Sequence, residues 1–404
     1  MQQLLFINSF SFVIRTVYLC NFVKMEHLIL HKLSLVSFKN YAHAEVVFSG
    51  RFNCIAGNNG EGKTNLLDAI HYLSFTKSYF NPIDSQNILH EAPLFVVQGE
   101  FSTGKKKEEV FCAQKKGERK QVKVNKKEIT RFADHIGMFP VVMASPSDVE
   151  LILEGSEVRR KFIDSIISQY DRPYLEDIIT YTKVLLQRNA QLKQFSKNGN
   201  FDSDSLQIWD IQLIDLGKKI FKKRKQFSAE FSPIFQKYYE LISGGKEKVE
   251  MIYQSQLGKG DFEALLNEAQ DKDRVMEYST VGVHKDDWEF RMSAGGLILA
   301  SAGDSYPVKK FASQGQQKSY LLAIKLAQFE FVKQHRKIIP ILMLDDIHDK
   351  LDDHRVKRLI ELVSDKGFGQ VFITDTGKER IVKLFKGVDV KLFRVKDGEV
   401  SPLP

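Results

Sequence analysis

Gly57-Asn58-Asn59-Gly60-Glu61-Gly62-Lys63-Thr64 is the stretch on which the reading of the fold turns. It fits G-x-x-x-x-G-K-[ST] and stands between an apolar strand, FNCIA (52–56), and a helical run, NLLDAIHYL, that opens at Asn65. The chemistry of a phosphate-binding loop needs that placement. Glycines let the backbone curl so that successive N–H groups turn inward onto phosphate oxygens. Lys63 would reach the β- and γ-phosphates of ATP, and the Thr64 hydroxyl would ligate Mg²⁺. The helix N-terminus adds its positive dipole end.

Such a loop needs a carboxylate at the end of a neighbouring buried strand. Ile341–Leu344 followed by Asp345 and Asp346 supplies two. Asp345 would hold the metal through water, and Asp346 would polarise the attacking water as general base. Lys63 and Asp345 lie 282 residues apart, too far for one small nucleotide-binding domain, so something is inserted between them.

The insertion is visible as a change of period. Residues 25–147 read as short strands (HLILHKLSLVSF, AEVVF, LFVVQGEF, VFCAQ, QVKVN, VVMAS), with GKKK and KKGERK as turns whose charges are solvated. From Asp148 the spacing becomes helical. Leu213, Leu216, Ile220, Phe227, Phe231 and Phe235 form an apolar stripe. Two amphipathic runs, 157–195 and 205–242, are joined by KNGNFDSD, which predicts a long antiparallel helical hairpin within an inserted lobe, 148–248. Strands return over 249–404 as VEMIYQS, MEYSTVGVHKDDWEFRM, GGLILASAG, IIPILML, QVFIT and VKLFRV, with helices over 316–335 and 354–366. The fold class expected is α/β, one ATPase head assembled from two halves of the sequence around a helical insertion.

Composition is that of an ordinary globular protein: 404 residues, 59 Lys and Arg against 51 Asp and Glu, net charge +8. Cys20, Cys54 and Cys112 are far apart, which excludes a disulfide scaffold or zinc cluster and fits a reducing cytoplasm. The apolar opening, residues 1–24, has a neutral start, is interrupted by Arg15 and has no cleavage pattern. It is expected to be an upstream extension, with Met25 the native start. No membrane span is expected.

Between the insertion and Asp345 lies SQGQQKS. Ser313, Gly315 and Gln316 match the signature of ABC-type ATPases, a second helix N-terminus carrying a hydroxyl and a bare glycine amide. In those enzymes it meets the nucleotide held by a partner subunit. KLDDHR (350–355) falls at the ABC dimer-contact loop, with Leu351 and Asp352 at its core.

With these residues placed, the chain resembles the RecF family of bacterial recombination-repair ATPases, related to SMC heads. The resemblance runs from Met25 onward through LVSFKNY, GNNGEGKTN, SPSDVELILEGSEVRRKFID, YTKVLLQRNAQLK, STVGVHKDDW, SQGQQKS and LMLDDIHDKLD, in that order. The parts around Arg159–Arg160, Arg188–Asn189 and His284–Asp287 are more specific to the family than the ATPase motifs. Asp346 stands where many ABC enzymes have Glu, and Thr374 where they have a switch His, which implies slow hydrolysis. The resemblance implies an ATP-dependent homodimer that binds gapped, single-stranded and duplex DNA and works with RecO and RecR to help load RecA.

For the DNA surface, KKIFKKRK places Lys218, Lys222 and Lys225 on one helical face, with Lys219 and Lys223 beside it. A stripe of this kind can track phosphates without reading bases. Arg159, Arg160 and Lys161 at the foot of the hairpin have a comparable claim, or pair with acids there. A transporter subunit is disfavoured by the size of the insertion. A nuclease is disfavoured because only 58 residues follow Asp346.

Overall fold

A computed structural model describes residues 25–245, 247–294, 305–346, 353–365, 367–377, 379–380, 385 and 388–403. The segments 1–24 and GGLILASAG (295–303) lie outside the described residues, as do Leu351 and Asp352.

The centre is a six-stranded sheet in the order Glu399–Leu403, Val390–Lys396, Phe52–Ala56, Val371–Asp375, Ile341–Leu344, Val141–Ala144. Its neighbours are parallel except at the Glu399–Leu403 edge. The inner strands are apolar on both faces, as sheets covered on both sides require. Alternate residues divide between two cores. Cys54, Leu342, Leu344, Val371 and Ile373 face the hairpin side. Ile55, Ile341, Met343 and Phe372 face a second core built with the helix Lys63–Phe75.

Over that second core curls a seven-stranded sheet whose main path runs Ile338–Ile339, Glu26–Phe38, Leu94–Thr103, Lys106–Lys115, Gln121–Val124, Lys127–Glu128, with Tyr41–Val47 also on Glu26–Phe38. IIPILML therefore does not form the single strand its composition suggests. Pro340 cannot donate to a ladder, so the run splits. Ile338–Ile339 pair with Glu26 and His27, and Ile341–Leu344 enter the parallel sheet.

The hairpin's first arm is two helices, Ser156–Tyr170 and Arg172–Asn198. The break falls where Pro173 enters the first turn and the Asp171 carboxylate accepts from the Tyr174 amide at 2.9 Å. The second arm is one helix, Ser203–Ser243, 41 residues and about 60 Å long. Strands Glu247–Gln254, Asp287–Ala294 and Tyr306–Pro307 form a sheet of their own rather than extending the central one. Of the stretch MEYSTVGVHKDDWEFRM, only Asp287 onward is strand. This sheet packs on the second arm and on the helix Gln314–Arg336, where the Tyr320 hydroxyl donates to the Glu250 carbonyl at 2.7 Å.

One buried joint fixes the hairpin. Arg224, the single cation of KKIFKKRK turned inward, is 2% exposed. It bonds Asp164 at 2.9 and 3.0 Å, Asp286 at 2.7 Å and the Val283 carbonyl at 2.7 Å. Farther out, buried Arg188 binds Asp210 at 2.5 Å and Asp273 at 2.6 Å, while Ser279 donates to Asn189 at 2.8 Å. Arg159 forms a two-pronged pair with Asp287 at 2.7 and 3.0 Å, and Arg160 donates to the Asp286 carbonyl at 2.7 Å. No helix among the described residues is long and apolar enough to cross a membrane.

Removing one member of such a network strands the remaining charges in the interior. Arg224→Ala is expected to lose about 3–5 kcal/mol of stability in urea denaturation.

Candidate nucleotide site

The carboxyl ends of three adjacent parallel strands meet at one point, the position where open α/β sheets bind ligands. Phe52–Ala56 delivers the loop, Ile341–Leu344 delivers Asp345, and Val371–Asp375 between them delivers Thr374. The Thr64 hydroxyl lies 3.1 and 3.0 Å from the two Asp345 carboxylate oxygens. Thr374 donates to Asp345 at 2.7 Å, and Ser145 lies 3.5 Å from it. The Asp346 amide bonds the Thr374 hydroxyl at 2.8 Å, and the Asp346 backbone is left-handed at φ 51.

The loop is held open from its outer side. Asn40 donates to the Glu61 carbonyl at 2.9 Å, the Tyr41 hydroxyl to the Gly62 carbonyl at 2.9 Å, and Asn65 to Asn40 at 2.8 Å. The Asp397 amide donates to the Glu61 carboxylate at 2.5 Å. Gly60 and Gly62 take positive φ of 84 and 117. Gly57 is required for a different reason, because a Cβ there would sit 2.4 Å from the Val395 carbonyl oxygen. Asn58 and Asn59 are exposed at the rim. Lys63 folds over the hollow and donates to the Gly57 and Asn58 carbonyls at 2.8 and 2.9 Å. Those bonds hold the ammonium at the mouth of the amide nest.

A hydroxyl and a carboxylate converging beside that nest are hard oxygen donors of the kind magnesium takes in nucleotide sites. Burial raises the Asp345 pKa above the usual aspartate value. The carboxylate is thus held with too little compensating charge, and a divalent cation fits there.

Ser313 caps the helix Gln314–Arg336. Its hydroxyl accepts from the Gln316 amide at 3.2 Å, and the Gln316 side chain accepts from the Ser313 amide at 2.7 Å. Arg355 donates to the Gly315 carbonyl at 2.6 Å and to Ser319 at 2.8 Å. Among the described residues no hydrogen bond joins Ser313, Gly315 or Gln316 to the loop 57–65.

Most cations of the helical stripe are engaged. Lys218 pairs with Asp261 at 2.8 Å, Lys219 with Asp215 at 2.7 Å and Lys223 with Asp171 at 2.6 Å. Lys222 and Lys225 are exposed with no ion pair to a described residue. Lys161 is exposed and pairs with Glu157 at 2.6 Å. Sequence reasoning placed Asn40, Tyr41 and Ser145 only within the family-like stretches LVSFKNY and SPSDVELILEGSEVRRKFID and gave them no part in the site, because nothing local shows what they meet.

A family model described as RecF/RecN/SMC N terminal domain matches residues 29–399. The DNA replication and repair protein RecF of Flavobacterium johnsoniae is 48% identical over 357 residues, covering 88% of this chain and 96% of its own. The protein of the same name from Phocaeicola vulgatus is 48% identical over 378 residues, 93% of this chain and 98% of its own. Among solved structures, the recombination mediator RecF with ATP in the RecFOR pathway superposes with TM-score 0.83 at 28% identity, covering 95% of this chain and all of that one. An SMC head bound to the C-winged helix domain of ScpA reaches TM-score 0.55 at 18% identity, covering 93% and 97%, a likeness of fold.

Two outcomes follow from the geometry. A raised folded pKa means that stability falls as pH rises through it, since the folded state gives up the proton later than the unfolded chain. Asp345→Asn should therefore melt above the wild-type chain at neutral pH, the gain vanishing below the ordinary aspartate value of 3.8. Gly57→Ala should lose nucleotide binding and about 1–3 kcal/mol of stability, because backbone at Val395 cannot yield, read by nucleotide titration and urea melts.

Proposed function

The chain belongs to the RecF family, and we propose that it works as an ATP-gated DNA clamp in replication and recombinational repair. The observation that carries this reading is the convergence of Thr64 and Asp345, 281 residues apart, at 3.0–3.1 Å beside the glycine loop.

In this reading the loop amides and Lys63 take the triphosphate, Lys63 exchanging its carbonyl partners for phosphate oxygens. Thr64 and Asp345 would hold Mg²⁺, which neutralises phosphate charge when bound. Thr374 keeps the Asp345 carboxylate aimed, and through the Asp346 amide it also sets the next residue. Asp346 accepts the proton of the attacking water. Its side chain is one methylene shorter than the Glu of many ABC enzymes and holds the water less closely, so turnover is slow, and DNA stimulates it. Ser313, Gly315 and Gln316 face the nucleotide of a second copy, with Leu351 and Asp352 at the contact between copies. One site is incomplete without its partner, so ATP drives a homodimer and hydrolysis opens it.

The dimer closes on DNA at single-strand gaps and junctions with duplex, in the cytoplasm, and with RecO and RecR assists RecA loading. Lys222 and Lys225, the members of the helical stripe with no ion pair among the described residues, serve that contact. Arg159 and Arg160 serve as struts at the hairpin base rather than as phosphate ligands, since both are committed to Asp287, Asp286 and nearby carbonyls.

Light scattering with ATP, ADP and no nucleotide, with and without gapped duplex, tests the reading. ATP should double the mass and DNA should favour the doubled species, whereas Lys63→Met should remain monomeric. Asp346→Asn should bind ATP normally and turn it over about 10²-fold or more slowly. An unchanged rate would remove Asp346 from the chemistry.

A further inference from the structure

The net charge of the chain is not spread over it. Between residues 105 and 131 stand eleven Lys and Arg against four Glu, a surplus of seven in a chain whose whole surplus is eight. The other 377 residues are close to neutral.

The fold gathers this surplus onto one edge of the seven-stranded sheet. Lys106–Lys115 pairs with Gln121–Val124, which pairs with Lys127–Glu128. The turn at Asn125 folds back on Glu109, exchanging bonds of 2.8 and 2.9 Å. Lys105, Lys107, Lys126 and Lys127 thus cluster at one end, Lys116 and Arg119 lie at the other, and Lys123 sits between them over the Phe111 ring. None of these seven has a carboxylate partner among the described residues. Lys106, Lys115, Lys120 and Arg131 do, pairing with Glu108, Glu118, Asp84 and Glu176. The helical stripe shows the contrast, with three of its five lysines neutralised by acids.

We infer that this sheet edge is a binding track for the backbone of duplex DNA, a proposal that rests on the DNA-clamp reading. Several observations favour this partner. Nine residues of strand separate Lys107 from Lys116, about 30 Å, close to the roughly 34 Å of one duplex turn. The two end clusters can therefore meet phosphates on successive turns, with Lys123 in between. No large hydrophobic side chain within 105–131 is exposed, so the edge offers neither a wedge for a lipid layer nor a stacking platform for unpaired bases. The far end also abuts the hairpin: Arg131 bonds Glu176 at 2.6 Å, and Arg172 binds Asp134. Lys223 is held by Asp171 at the same junction. The track therefore leads toward Lys222 and Lys225 rather than away from them.

The test uses the full chain with ATP and a fluorescent duplex, with affinity followed by anisotropy from low to moderate salt. Lys105, Lys107, Lys126 and Lys127 are changed together to Gln. The slope of log affinity against log salt should fall by up to about 3.6, at ~0.9 per lost phosphate contact, with the thermal melt unchanged. A charge-matched control replaces exposed Lys183, Lys193, Lys237 and Lys272 with Gln and should move the slope by less than one contact. An edge variant with the wild-type slope, or a control that loses as much, overturns the proposal. Failure of the wild-type chain to bind duplex with ATP would instead remove the clamp reading beneath it. Anionic phospholipid vesicles form the third arm. Vesicle binding lost in the edge variant while duplex affinity stays intact would reassign the edge to a membrane and overturn the proposal.

Discussion

The contact between the Thr64 hydroxyl and the Asp345 carboxylate is the constraint on which the rest of the molecule depends. It is short enough to be made only if Phe52–Ala56 and Ile341–Leu344 lie one strand apart in the same sheet, both ending at the same level. Parallel register through Val371–Asp375 achieves that, and it places Thr374 where it can bond Asp345 and the Asp346 amide together. Burial of these strands on both faces is what gives the register its precision. A one-residue slip would turn every side chain of a strand from one core into the other.

The joint around Arg224 has a comparable role for the hairpin. Buried ion pairs contribute little net stability compared with apolar packing, and their attested use is to exclude alternative arrangements. Here the acids come from the first arm (Asp164) and from the loop before Asp287–Ala294 (Asp286), so a single guanidinium sets the angle between three elements. The helix Gln314–Arg336 packs along the same second arm. Its orientation is thereby tied to the hairpin rather than to the loop strand.

Much of this was legible in the chain. The glycine loop and the acidic strand end announce themselves because phosphate and metal chemistry tolerate few residue types at those points. The hairpin is visible because an apolar stripe at helical spacing has one simple explanation. What could not be read is what depends on meeting at long range. The family-specific stretches at Arg159–Arg160 and His284–Asp287 carry no local pattern, yet they meet beside Arg224, while Arg188–Asn189 ties the hairpin to Asp273 and Ser279 farther out. Asn40 and Tyr41 end the family-like stretch LVSFKNY, yet nothing local in it shows that they brace the loop. The partition of IIPILML between two sheets follows from one missing amide at Pro340, which a hydropathy reading cannot weigh.

The strand order also bears on how the molecule is made. Both neighbours of Phe52–Ala56 come from the last stretch of the chain, Val371–Asp375 and Val390–Lys396. During vectorial synthesis this fully buried strand emerges early and waits, unflanked, until almost the whole polypeptide has left the ribosome. Its edges are open to wrong pairing throughout that interval. The two arms of the inserted hairpin, and the residues 273–286 that receive Arg188 and Arg224, all emerge well before those last strands and have time to fold first. Completion of the nucleotide cradle is then a late event in the life of each new molecule, and truncation near the carboxyl terminus would leave a folded hairpin attached to an unfinished head.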